Sequence, residues 1–174
     1  MIFEPIIISL KVAFVATGIV LIIGVLLARL LTKYNFKGKN ILETLIMLPM
    51  VLPPSVTGYG LLIMIGKRGF IGKILYDTFG VSLVFTWIGA SLAAIIVSLP
   101  LMYQNCRAAF LNVDNIYENA ARTLGADEKR VFWEVTLPLI RPGIISGVIL
   151  SFARALGEFG ATLMVAGNIP GKTQ

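Results

Sequence analysis

TFGVSLVFTWIGASLAAIIVSLPLMYQNC, residues 78–106, runs for twenty-nine residues without a charged side chain. A helix needs about 20 apolar residues to cross the hydrocarbon core of a bilayer, so this stretch places the chain in lipid. Upstream, residues 12–28 form a second uncharged run of seventeen, extended beyond Lys11 by Ile6, Ile7 and Ile8. Between the two, residues 45–66 give twenty-two uncharged positions interrupted by Pro49, Pro53 and Pro54. Downstream, a fourth run starts at Gly143 and continues toward Val165, with Arg154 and Glu158 inside it. Composition agrees: 57% of residues are hydrophobic and 14% charged, where soluble domains carry about a quarter charged, and mean hydropathy is +0.87. The expected fold class is all-α integral membrane, a multi-span helical bundle forming one transmembrane domain over residues 1–174. Its spans are expected at about 6–28, 45–66, 80–104 and 143–166.

The N-terminal run is read as a span rather than a signal peptide. The preceding Met1, Ile2, Phe3 and Glu4 lack a basic region, and no small-x-small cleavage site follows. The chain has no histidine and one cysteine, Cys106. Neither a disulfide framework nor a Cys/His metal site can be assembled within it. The net charge of +6 is distributed as topology signals are. Arg29, Lys33, Lys37, Lys39, Arg107, Arg122, Lys129, Arg130 and Arg141 fall in two connecting segments, whereas Lys11, Lys67, Arg68, Lys73 and Lys172 fall on the opposite side. The positive-inside rule puts the N-terminus outside. Segment 107–141 also carries Asp114, Glu118, Asp127, Glu128 and Glu134, which cancel its five bases. A nucleic-acid surface would not be neutralised in that way.

Within the spans, each proline deletes a backbone donor, and the carbonyl it frees is tolerated at membrane depth only where protein or a water-filled cavity receives it. The turn at residues 52–55 is therefore expected to face protein or a pore; a kink that serves helix packing alone is the other reading. Arg154 and Glu158 are four apart and share a helical face. Ionisable residues inside a span face a bundle interior or an aqueous cavity, and the alternative to a pathway role is an ion pair that locks packing.

The polar segment 107–141 reads as two short helices. Asp114 can cap the first, through Ile116, Tyr117, Glu118, Asn119, Ala120, Ala121 and Leu124, with Gly125 placed to end it in a left-handed conformation. Asp127 can cap the second, running to Pro138. Ile116, Ala120 and Leu124 fall at i, i+4 and i+8 beside Tyr117 and Ala121, a narrow apolar stripe with small residues in its middle. Such a stripe suits insertion into a partner's groove; packing under the chain's own bundle is the alternative.

Asn119, Ala120, Ala121, three residues on Gly125, and after nine more Val135-Thr136-Leu137-Pro138 resemble the EAA loop of ABC-importer permeases. That pattern is Glu-Ala-Ala, three residues, Gly, nine residues, an aliphatic, any residue, Leu-Pro. One departure is visible: Asn119 stands where the family has glutamate, and Glu118 lies one residue earlier. Residues 48–58, 66–72 and 152–162 are similar to the molybdate permease branch; sulfate and tungstate permeases share the loop and part of the last stretch. The resemblance covers essentially the whole chain. It implies that residues 107–141 form a cytoplasmic coupling loop in a chain of the cytoplasmic membrane. It further implies a second permease copy, ABC ATPase subunits that hold ATP and magnesium, an extracytoplasmic binding protein and an oxyanion substrate. The chain itself would carry no cofactor. Members of the branch continue into another span, so a C-terminal span is expected to be missing here.

For an anion pathway or gate the sequence offers Pro53, Pro54, Ser55 and Thr57, then Arg154, Gly157, Glu158, Phe159, Gly160 and Thr162. The glycines permit bending and mark a hinge. Arg154 could meet the anion directly, but Glu158 one turn away partly cancels its field. The pair is therefore expected to position the gate. Residues 167–173 imitate a phosphate-binding loop, with three residues between the glycines where four are needed. ATP is accordingly expected on a separate subunit. An ion-coupled secondary transporter would also use broken helices and an intramembrane ion pair, and a scaffold protein would need no polar pathway; neither needs the docking loop.

Overall fold

The computed structural model describes residues 3–169 and Thr173, so Gly171 and Lys172 of the phosphate-loop look-alike lie outside the described residues. Among these residues the chain is helical, without strands: α1 (Phe3–Lys33), α2 (Lys39–Val51), α3 (Pro54–Ile65), α4 (Phe70–Phe79), α5 (Trp87–Leu111), α6 (Asn115–Thr123), α7 (Glu128–Arg130), a π-helical turn (Val131–Thr136), α8 (Leu137–Leu156) and α9 (Gly160–Ala166). The protein is an all-α membrane protein. Among the described residues three helices are long and apolar enough to cross a bilayer, giving four candidate spans if the bent pair α2 and α3 forms one.

α5 is the central helix. α1 runs alongside it in the same direction, presenting Val12, Ala13, Ala16, Val20, Gly24 and Ala28, while α8 runs the opposite way on another flank. Lipid tails are as apolar as leucine, so helices in a membrane associate through close van der Waals approach at small residues rather than by hydrophobic expulsion. Three glycines show this. A Cβ on Gly24 would lie 2.6 Å from Met102 Cγ, one on Gly147 2.7 Å from Met102 Sδ, and one on Gly143 2.4 Å from Ala109 Cβ. Ser151 Oγ adds a 3.3 Å hydrogen bond to the Ser98 carbonyl between α8 and α5. The large apolar side chains of α1, among them Ile7, Phe14, Ile22 and Leu26, point outward.

The helix boundaries differ from those expected in several places, beginning with α1, which runs from Phe3 to Lys33 and so exceeds 6–28 at both ends. Residues 45–66 are not one straight span: α2 and α3 meet at a bend of 118°. A residue before proline is driven to extended backbone, and with two prolines in succession both Leu52 (ψ 144°) and Pro53 (ψ 139°) are extended. The third span begins at Trp87 rather than at 80, because Gly80 (φ +66°) ends α4 and Thr86 Oγ1 caps α5 by accepting from the Gly89 amide at 3.2 Å. It also continues to Leu111, past 104. The fourth breaks between Leu156 and Gly160. Finally, the second helix of the polar segment does not stop at Pro138. The Leu137 amide reaches back five residues to the Phe132 carbonyl, and this wider turn absorbs the proline, so residues 128–156 form one continuous helix.

Candidate functional site

The polar loop folds as its caps dictate. Asp114 Oδ1 accepts from the Ile116 amide at 2.9 Å and Asp127 Oδ1 from the Arg130 amide at 2.9 Å. Gly125, at φ +87°, closes α6: its amide donates to the Arg122 carbonyl and that of Ala126 to the Ala121 carbonyl, both at 3.0 Å. These two bonds satisfy the last carbonyls of the helix in a Schellman arrangement that a Cβ would strain. Ile116 (69% exposed), Tyr117, Ala120 and Leu124 (88% exposed) form an open apolar ridge, while Ala121 and Glu118 are half-buried on the inner side. Leu137 is half-buried and Pro138 exposed on the neighbouring helix.

Beneath the ridge a charged network holds α6. Glu118 Oε1 accepts from Thr136 Oγ1 at 2.7 Å, and its Oε2 accepts from Arg122 Nη2 at 3.0 Å. Arg122 also donates to Glu128 Oε1 at 2.6 Å and to Asn119 Oδ1 at 3.0 Å. Lys33, at the end of α1, donates to Glu128 Oε2 at 3.3 Å, and the Arg29 guanidinium lies 3.6 Å over the Phe132 ring. The Arg122 and Lys33 hydrogen bonds bring the Glu128 carboxyl down to about 2. Those from Glu128 and Glu118 raise Arg122. The network borders an open pocket of about 260 Å³ among α1, α5, α6 and the π turn. In the sequence Lys33 and Arg29 read only as topology-setting cations, Glu128 only as a charge that offsets the bases, and Thr136 only as a motif position, so none of them is marked as part of a network. The Glu118–Arg122 spacing of four was a usable signal; no local signal marks the others.

At mid-bundle the two helix breaks meet. A Cβ on Gly160 would lie 2.8 Å from Pro54 Cβ, and one on Gly58 2.7 Å from Ala161 Cα, so α3 and α9 touch nearly backbone to backbone. Glu158, with 1% of its side chain exposed, pairs with Arg154 Nη1 across one turn. Its other oxygen accepts from the Ala161 amide at 2.7 Å and so caps α9. Thr57 is buried and turned back on its own helix, donating to the Pro53 carbonyl at 3.4 Å, whereas Ser55, Gly157 and Phe159 are exposed. Thr162 and Glu158 line a small cavity of about 50 Å³ against α1 and α5. Pro54 and the Ser55 amide are thus brought against Gly160, and Glu158 and Thr162 share the small cavity.

The sequence model described as binding-protein-dependent transport system inner membrane component matches residues 20–172. The chain is 51% identical to the molybdenum transport system permease protein ModB of Escherichia coli, over 98% of this chain and 75% of that protein. It is 46% identical to the putative molybdenum transport system permease protein YvgM of Bacillus subtilis, over 99% of this chain and 76% of the other. Identity to the sulfate transport system permease protein CysT of Escherichia coli is 38%, over 96% of this chain and 60% of that one.

Proposed function

The chain belongs to the family of binding-protein-dependent transport system inner membrane components, and from that premise we propose that it is the permease subunit of an ATP-driven importer of molybdate. The observation that carries the substrate is the gap between 51% identity to a molybdenum permease and 38% to a sulfate permease of the same organism. Sulfate is the second reading, favoured by the conservative nature of an exchange between two tetrahedral oxyanions.

In this reading, Ile116, Tyr117, Ala120 and Leu124 seat in a groove of an ATPase subunit, which supplies ATP and magnesium. A second permease copy completes the pathway, and an extracytoplasmic binding protein delivers the anion. The polar loop and the end of α1 face the cytoplasm, with the N-terminus outside. Closure of the ATPases displaces α6. Glu118 passes that displacement to Thr136, and the continuous helix 128–156 carries it to the break at residues 157–159. Glu158, holding both Arg154 and the first turn of α9, keeps the gate segment registered to that helix, and α3 follows because Gly58 and Gly160 lock it to α9. Weak contacts with hydroxyls and backbone donors pass the dianion, and selection rests mainly with the binding protein.

The test is uptake of labelled molybdate and of sulfate into proteoliposomes holding the permease, its ATPase and its binding protein. Molybdate accumulation that requires ATP and all three proteins supports the reading. Preferential sulfate accumulation replaces the substrate, and uptake driven by an ion gradient without the ATPase overturns the mechanism.

A further inference from the structure

The stretch GKRGFIG at residues 66–72 and the helix after it take no part in the coupling loop or the gate. Its glycines, spaced three apart, have a physical reason. A Cβ on Gly69 would fall 2.1 Å from the Ile63 carbonyl oxygen, one on Gly72 2.1 Å from that of Gly66, and one on Gly66 2.6 Å from that of Leu62. The chain folds back on the last turn of α3 so closely that no side chain fits, and α4 rests on α3 by this glycine edge. Gly72 is its only buried residue.

The remaining surface of α4 is divided. Lys73 and Tyr76 lie on one side, with Lys67 Nζ 4.9 Å over the Tyr76 ring. On the other side Phe70 (83% exposed), Ile71 and Ile74 fall at i, i+1 and i+4. This apolar face lies where α3 ends and α5 begins, at the end of the bundle away from the coupling loop. It continues the outward apolar flank of α3 at Ile63 and Met64, and the exposed cations Lys67, Arg68 and Lys73 lie in the same segment.

We propose that α4 is an interfacial helix whose Phe70, Ile71 and Ile74 face lies in the lipid of the membrane surface opposite the coupling loop. An amphipathic helix of this kind buries its apolar face about 5–10 Å into the boundary between headgroups and acyl chains. Lipid is the occupant because the face is continuous with the apolar flank of a membrane-embedded helix, and because the exposed cations of the same segment match lipid phosphates. Its glycine attachment then holds the end of α3, and with it the α3–α9 contact, at a fixed depth. The inference rests on the membrane fold and not on the transported substrate.

The single cysteine, Cys106, is buried, so a Cys106→Ala background accepts one new thiol. Ile74→Cys and Tyr76→Cys, each carrying an environment-sensitive fluorophore, are compared in the permease–ATPase complex reconstituted in vesicles of zwitterionic and anionic lipid. At position 74 the emission should shift to the blue, lose intensity with lipids bearing a shallow doxyl group, and resist aqueous iodide; position 76 should do the reverse. Equal quenching of both by iodide overturns the proposal. Protection of position 74 from iodide without doxyl quenching also overturns it: the cover is a second copy if protection is present in the isolated complex, and an outer partner if it appears only with the binding protein. Failure of molybdate uptake leaves this readout unaffected.

Discussion

Glu118 and Thr136, eighteen residues apart, are joined by a 2.7 Å hydrogen bond from the threonine hydroxyl to the carboxylate. The bond fastens α6 to the π turn from which α8 continues. The Asn119 side chain accepts from Arg122 within its own helix and makes no bond to the π turn. Glu118→Ala should therefore damage coupling more than Asn119→Ala. A hydrogen bond to a charged group contributes about 1.5–3 kcal/mol, and the half-buried setting favours the low end, so ATP-driven uptake should fall roughly tenfold. Retention of the ATPase on the purified complex, measured alongside, separates lost transmission from lost docking. Equal effects of the two substitutions would remove Glu118 from the coupling path.

The acid response of the same network has a definite sign. The Glu128 carboxyl is brought below its usual 4.5 to about 2 by Arg122 and then Lys33. A depressed carboxyl adds stability that is present above the unfolded-state value and lost as pH falls through the folded one. Hydrogen-exchange protection of α6, corrected for intrinsic rate, should be flat from about pH 8 to about pH 5 and decline only below that. Glu128→Gln should lower protection at neutral pH and flatten the acid decline. Solvent screening keeps both effects small.

Gly58 and Gly18 make a matched pair. A side chain at Gly58 meets the Ala161 backbone at 2.7 Å, whereas nothing lies within 4 Å of one at Gly18. Gly58→Val should cost about 1–3 kcal/mol through overpacking and lower the melting temperature of the detergent-solubilised protein. Gly18→Ala should be neutral or stabilising by up to about 1 kcal/mol. Similar melting temperatures for the two variants would mean that α3 and α9 are not locked together.

Glu158→Gln keeps an acceptor for the Ala161 amide but leaves Arg154 unpaired. Breaking a buried pair on one side costs about 3–5 kcal/mol, less here because Arg154 keeps 32% of its side chain exposed. Arg154→Met with Glu158→Gln retains the cap without the stranded cation, so its uptake should exceed that of Glu158→Gln alone and of Arg154→Met with Glu158→Leu. A dead first double variant with its ATPase still bound would assign Arg154 a direct part in anion passage.

The orientation is checked with the same single-cysteine background. A thiol from Arg68→Cys, exposed in the same loop, should react with impermeant maleimide added outside intact cells, and one from Asp127→Cys only after permeabilisation. The reverse pattern would invert the membrane orientation.

Local chemistry made several features readable in the residues alone. Uncharged runs of span length require lipid, Asp114 and Asp127 cap the amides that follow them, and Gly125 alone suits the left-handed stop, because each of these depends on neighbours within a helical turn. The consecutive prolines at 53 and 54 announced a break by the same logic. The spacing of Phe70, Ile74 and Lys73 also carries an amphipathic α4, and these residues lie outside every uncharged run of span length. Tertiary structure decided what those breaks and charges meet. That Gly160 lies against Pro54, that Lys33 reaches Glu128 across 95 positions, and that a π turn carries one helix through Pro138 are outcomes of packing. Such contacts depend on how close two backbones come and on which carboxylate a long side chain can reach, and neither quantity is written in the periodicity of a single segment.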